Sequence, residues 1–318
     1  QARQQGCDVI QSGDWNVFNA GSPNEVVFIG GPVHFECDGG ITVRADSAIR
    51  MPERLQLIGR AFYGDSVKTL NAQQLDYFGR EGRLFARGDV VLSDRSDRQR
   101  ATVVRGSELN YEREGPTRPE SRTVVQGRPN AVFYPASRGE PQPADTTVQP
   151  FEVDADWMEF VGERAFRASG RVELTRGETR GFSNWAEFDN DSQLLVLNGQ
   201  ARVLDDSYEL TGERIEARLD GDQIHELTAR TAARITGEQL TVDASEIHVF
   251  TEDGELSRLV ARTEAADGAG SAAAEQARAT AEGLLLLADS IDALAPNQRL
   301  RTLFAVGRAY AERSVDSL

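Results

Sequence analysis

A two-strand unit recurs along this chain about every 29 to 32 residues, and each copy carries a pair of small residues at its centre. The second half of the unit reads apolar-x-Gly-x-apolar, as at Leu57/Gly59/Ala61, Ala86/Gly88/Val90, Ala168/Gly170/Val172, Leu197/Gly199/Ala201 and Ala305/Gly307/Ala309. Ile29/Gly31/Val33 and Val125/Gly127/Pro129 extend the series, and Leu227/Ala229/Thr231 and Leu259/Ala261/Thr263 join it if Ala stands in for Gly. Self-similarity at a fixed period of this length belongs to stacked supersecondary units that share one extended core, so function is sought on a long surface rather than at a point.

The first half of the unit alternates apolar and polar residues around its small residue. Ile41/Val43/Ala45, Phe151/Val153/Ala155/Met158/Phe160, Tyr208/Leu210/Gly212/Ile215/Ala217, Leu240/Val242/Ala244/Ile247/Val249 and Leu284/Leu286/Ala288/Ile291/Ala293 are clear copies, with weaker ones around Ala72, Gly106 and Ser183. Period-2 alternation places every second side chain on one face, the pattern of a half-buried strand. The parity of the apolar positions flips just after the small residue, which a regular strand cannot accommodate. A kink is therefore predicted at Ala45-Asp46, Ala155-Asp156, Ser183-Asn184 and Ala288-Asp289, where a short side chain permits bending and Asp or Asn can satisfy local backbone donors. The second strand keeps its parity through Gly, which predicts only a thinning of the wall there. Each strand should fold across a sheet like a V with its apolar residues inside.

Composition limits the alternatives. The 318 residues include 39% hydrophobic residues without an 18-residue apolar run, so no helical membrane span is predicted. A formal charge of −16 disfavours nucleic acid and anionic bilayer surfaces through bulk repulsion. Two cysteines, Cys7 and Cys37, flank the first unit without metal-ligand spacing, which points to a disulfide and an oxidising compartment. A first residue other than Met is what removal of a signal peptide would leave. His34, His225 and His248 are isolated, and neither a zinc-protease spacing nor a nucleophile elbow occurs, so no enzyme, cofactor or metal is expected. Segments 113–121, 135–150 and 264–280 interrupt the repeat with Pro-rich or Ala/Gly-rich sequence and read as loop insertions or a soft hinge within a single continuous domain, 1–318.

The phrases I-T-V-R-A-D-S-A (Ile41 to Ala48) with L-I-G-R-A (Leu57 to Ala61), F-A-R-G-D-V-V-L (Phe85 to Leu92), and L-L-L-L-A-D-S-I (Leu284 to Ile291) with V-G-R-A-Y (Val306 to Tyr310) resemble the OstA-like superfamily of periplasmic lipopolysaccharide-transport proteins. The resemblance covers nearly the whole chain through eight or nine short motifs in phase. It implies an all-β, repetitive antiparallel β-jellyroll, or β-taco, of about 16–18 strands with an apolar interior groove. It further implies a periplasmic location, lipopolysaccharide or a related glycolipid as ligand, and edge-strand pairing with itself or other OstA-like transport proteins.

The inward positions that would line such a groove are Ile41, Val43, Leu57, Leu84, Val90, Phe151, Val153, Phe166, Val172, Leu195, Leu197, Leu210, Leu240, Val242, Leu284, Leu286 and Leu303. The same pattern also fits plain inter-sheet core. Trp15, Trp157 and Trp185 could line the groove mouth or cap a core, and Arg44, Arg50, Arg54 and Arg60 could supply a basic rim. Two other readings stand beside lipid carriage: a structural β-solenoid stalk without lipid, and a polysaccharide-active β-helix using the recurrent Asp46, Asp156 and Asp289 as acid/base carboxylates.

Overall fold

A computed structural model describes residues 6–95, 100–134, 149–220, 223–252, 254–263, 276–295 and 299–313. Segment 135–148 and most of 264–280 lie outside them. All regular elements among the described residues are β-strands, and the chain is all-β with antiparallel pairing. Two compact units form, one of the residues up to Tyr134 with Pro150–Ala168 and one from Ser169 onward.

In the first unit, three bent strands open the sheet as paired halves: β1 (Cys7–Gln11) and β2 (Trp15–Phe18), β3 (Val26–Ile29) and β4 (Val33–Cys37), β5 (Ile41–Ala45) and β6 (Ser47–Arg50). Four long strands follow, β7 (Leu55–Gly64), β8 (Lys68–Phe78), β9 (Arg83–Asp94) and β10 (Thr102–Glu112). Two more split strands come next, β11 (Arg122–Gln126) with β12 (Asn130–Phe133) and β13 (Phe151–Asp154) with β14 (Trp157–Val161). One half-sheet runs β2, β3, β6, then alternate halves of β7 to β10, then β11 and β14; the other runs β1, β4, β5, the remaining halves of β7 to β10, β12 and β13. The two half-sheets meet at the bends, which form a spine, and their hairpin ends form the mouth.

After β15 (Ala165–Arg176), the second unit repeats this plan with β16 (Thr179–Asp189), β17 (Leu194–Leu204), β18 (Tyr208–Asp220), β19 (Gln223–Gly237) and β20 (Thr241–Glu252). The last strands are split: β21 (Glu255–Arg262) with β22 (Ala277–Ala281), β23 (Leu284–Ala288) with β24 (Ser290–Leu294), and β25 (Thr302–Val306) with β26 (Tyr310–Arg313). One half-sheet ends in β20, β21, β24 and β25, the other in β20, β22, β23 and β26. Counting split pairs as single bent strands, the 26 segments among the described residues are 18 strands.

The kink is a two-against-one bulge. Ile58 pairs with Gln74 and Ala61 with Ala72, so Gly59 and Arg60 together oppose Gln73 alone. Buried residues therefore fall four apart on the Gly strand (Leu57, Ala61) and three apart on its partner (Ala72, Leu75), which explains why one strand kept parity and the other flipped. The Gly is thus part of the bend and not a thinning of the wall. It takes φ 74° and the following Arg60 takes φ 44°, and the same left-handed pair recurs at Gly88/Asp89, Gly127/Arg128, Gly170/Arg171, Gly199/Gln200 and Gly307/Arg308.

The register of one repeat differs from the sequence expectation. Arg230 pairs with Glu246 and Ala233 with Ala244, so the bulge comprises Thr231 and Ala232, at φ 64° and 52°, and Thr231 rather than Ala229 fills the glycine slot. Likewise Ala261 pairs with Ile247 as Ala86 pairs with Leu75, which moves that repeat's slot to Thr263. Cys7 and Cys37 face each other across β1 and β4 and form the disulfide.

Candidate functional site

Of the 17 inward positions, Ile41, Val43, Leu57, Leu84, Val90, Phe151, Val153 and Phe166 are buried in the first unit, and Val172, Leu195, Leu197, Leu210, Val242 and Leu286 in the second. Leu240, Leu284 and Leu303 are only half-buried. These three line the mouth of the second unit, where a cleft of about 580 Å³ lies between the two half-sheets. Its walls carry Tyr208, Ile235 and Leu240 from one half-sheet and Leu256, Leu259 and Ala293 from the other. An adjoining cleft of about 350 Å³ shares Gln239 and Leu300 with it and adds Leu284 and Leu303. Apolar side chains and polar or charged ones share these walls about equally, a mixed lining that suits an amphiphile more than a purely apolar ligand.

The rim of these clefts holds Arg299, Arg301 and Arg313 beside Asp206, Glu238 and Glu282. Each of the arginines expected to supply a basic rim, Arg44, Arg50, Arg54 and Arg60, has a partner within the first unit. Arg44 stacks on Phe62 at 4.4 Å, Arg50 pairs with Glu25 at 2.6 Å, Arg54 reaches Asp76 at 3.7 Å and Arg60 pairs with Asp46 at 2.5 Å. Trp157 and Trp185 lie away from the mouth: they directly follow the bend and alternate with buried Met158 and Ala186, so their rings sit outside at the spine. The mouth residues missed in the sequence stand at strand ends beside turns, where alternation gives no signal.

The first unit's mouth is built differently. Tyr63 and Tyr77, from opposite half-sheets, lie 6.3 Å apart, and Phe133 meets Phe160 across the mouth at 6.1 Å. Phe166 adds a third ring 4.9 Å from Phe133. Burial, with Asp65 beside it, pushes the Tyr63 hydroxyl well above its ordinary value, and that hydroxyl donates to Asp65 Oδ2 at 2.9 Å.

The recurrent aspartates serve the bend. Asp46 pairs with Arg60, Asp289 with Arg308 at 2.6 Å and Asp156 with Arg128 at 3.6 Å, each aspartate meeting the left-handed arginine of the neighbouring strand. The Arg60 hydrogen bond holds the Asp46 carboxyl below its usual value. His248 lies on the outer face between Glu226 and Glu246, each 3.1 Å from one ring nitrogen. Among the described residues, no group of three or more His, Cys, Asp or Glu is placed to hold a metal ion.

Neither a protein-family model nor a curated protein matches the chain. Among solved structures it is similar to LptH of Pseudomonas aeruginosa. That protein is the LptA homologous periplasmic component of a lipopolysaccharide transport device; the likeness has 17% identity and a TM-score of 0.36 over 43% of this chain and 95% of that one.

Proposed function

We propose that the chain is a periplasmic lipid carrier that takes lipopolysaccharide or a related glycolipid toward the outer membrane, with the acyl part held between half-sheets and the sugar head in water. The supporting observation is the paired cleft of the second unit, where Leu240, Leu284 and Leu303 leave an apolar strip accessible from outside. A 12-carbon chain in water costs roughly 9 to 10 kcal/mol at about 0.8 kcal/mol per methylene, so even partial burial in such a strip lowers the barrier to crossing an aqueous compartment.

Edge strands supply the partner side of this reading. Among the described residues β1 and β2 each pair on one side only, as do β25 and β26. The N-terminal edge exposes Ile10, Trp15, Val17 and Phe18, and the C-terminal edge exposes Phe304, Val306 and Tyr310. Unpaired backbone groups flanked by apolar side chains favour addition of a strand from another copy or a related protein.

The test is mass spectrometry of lipid co-purified with the full chain from its native envelope, with photo-crosslinkers at Leu240 and Leu284. Recovery of a glycolipid and its crosslinking at both sites is the expected result. A chain that yields no amphiphile and no crosslink would instead be a protein stalk.

A further inference from the structure

We propose that the mouth of the first unit is a gate, closed by Lys68, Arg113 and three tyrosines, which opens to admit a hydrocarbon chain; the inference rests on the lipid-carrier reading above. Lys68 is the only lysine in the sequence, and it is buried at 8% exposure. A lone buried lysine is uncommon and needs partners. Its ammonium lies 2.5 Å from Asp94 Oδ2 on the paired strand β9 and 5.9 Å from the ring of Tyr111. Lys68 and Asp94 belong to one half-sheet and Tyr111 to the other, so the ion pair holds the ammonium against the opposite wall.

Two further contacts cross the same mouth. Tyr63 meets Tyr77, as described, and Arg113 at the end of β10 faces the β4–β5 turn. A methyl group at Gly39 in that turn would lie 3.6 Å from both terminal nitrogens of the Arg113 guanidinium. The Lys68–Asp94, Lys68–Tyr111 and Tyr63–Tyr77 contacts all join side chains at strand ends. Each half-sheet keeps its own ladder, so the mouth can part without breaking a backbone hydrogen bond.

The composition of the closure matters as much as its place. A permanent seal is best made of aliphatic side chains, because a buried ion pair contributes little net stability compared with well-packed apolar groups of the same volume. Ammonium, carboxylate, guanidinium and phenol groups can each find water on opening, whereas the Leu70 and Leu75 side chains beneath them need an apolar partner. A hydrocarbon chain provides one.

The single lysine makes the gate directly observable. The full chain is treated with an amine-acylating reagent, with and without a 12-carbon alkyl glycoside below its micelle concentration. Lys68 acylation is mapped by peptide mass spectrometry in the folded chain and, at the same pH, in the chain unfolded in guanidinium chloride, and glycoside binding is measured by calorimetry. In the folded free chain Lys68 should react roughly tenfold or more slowly than in the unfolded chain, as a locally closed site does, and the glycoside should raise its rate severalfold. Arg113→Ala and Asp94→Asn should each raise the free-chain rate with circular dichroism unchanged; if Asp94→Asn unfolds, Arg113→Ala decides. Glycoside binding with Lys68 still protected would overturn the gate and leave lipid carriage standing. Absence of any binding would overturn both. Equal reaction of Lys68 in the folded and unfolded chains, or no response in a folded variant, would show that no latch exists.

Discussion

Replacing Thr231 with glycine should stabilise the protein and replacing Gly59 with alanine should destabilise it, although both residues fill the same position of the repeat. Thr231 sits at φ 64°, where an L-residue costs roughly 1–2 kcal/mol and a β-branched one is an outlier. Glycine removes that strain and gives back roughly 0.5–1 kcal/mol of chain entropy, a net gain of about 0.5–1 kcal/mol. The Thr231 side chain meets no crowding, since Ala232, Ser245 and Gln276 leave a cleft of about 440 Å³ beside it. Gly59 is the opposite case. At φ 74° an added Cβ would lie 2.5 Å from Asp46 Oδ2 and 3.0 Å from its Cβ, and Arg60 holds that carboxylate in place. Backbone strain of about 1–2 kcal/mol and overpacking of about 1–3 kcal/mol then sum to roughly 2–5 kcal/mol. For units of this size about 1 kcal/mol moves Tm by roughly 2–4 °C. Thermal melts should thus show Thr231→Gly rising by a few degrees and Gly59→Ala falling by several times as much. Equal losses in both variants would refute the assignment of Thr231 to the bulge.

Opening the Cys7–Cys37 disulfide, across a sequence separation of 30, should cost about 3–4 kcal/mol by loop entropy, seen as a lower denaturant midpoint for Cys7→Ala/Cys37→Ala; an unchanged midpoint would mean that β1 frays independently of the rest. Burial alone would raise the carboxyl of Glu159, but Arg122 at 2.6 Å and Arg167 at 3.2 Å more than offset it and hold it below its ordinary 4.5. A lowered pKa means stability present above about pH 4.5 and lost as pH falls through the native value. Glu159→Gln should cost roughly 1–3 kcal/mol near pH 7, discounted for the exposed arginines, and should flatten the acid limb of a stability profile; a parallel limb in the variant would refute this. Leu303→Asn should weaken alkyl-glycoside binding roughly tenfold through lost apolar area, with the melting curve retained, and calorimetry showing unaltered affinity would place the ligand elsewhere.

The bent-strand architecture was legible because two independent signals coincide in the sequence. Alternation at Val43, Leu57, Leu210 and Val242 fixes which face is buried, and the parity flip between Ala72 and Leu75 or Gly212 and Ile215 fixes where the strand must bend. The role of Gly was harder to see. Parity on its own strand is unchanged from Leu57 to Ala61, and only the partner's register reveals that two residues there oppose one. Thr231 was misplaced for a related reason: residue identity argues for a small residue in the slot, whereas the slot is defined by backbone conformation and tolerates threonine where the neighbouring Ser245 is short.

Whether a groove is open lies beyond what alternation can express, since an inward leucine is buried equally well by the facing wall or by a bound chain. The difference resides in a few side chains at strand ends. In the first unit Tyr63, Tyr77, Phe133 and Phe160 are long enough to reach across, and their rings meet. In the second unit the corresponding wall residues are Leu256, Ala293 and Ala295, too short to cross, and Tyr208 stands on the opposite wall beside a cleft. The same repeat thus builds a closed mouth or an open one according to side-chain reach at its hairpins. Those hairpin residues stand where the alternation of the repeat ends.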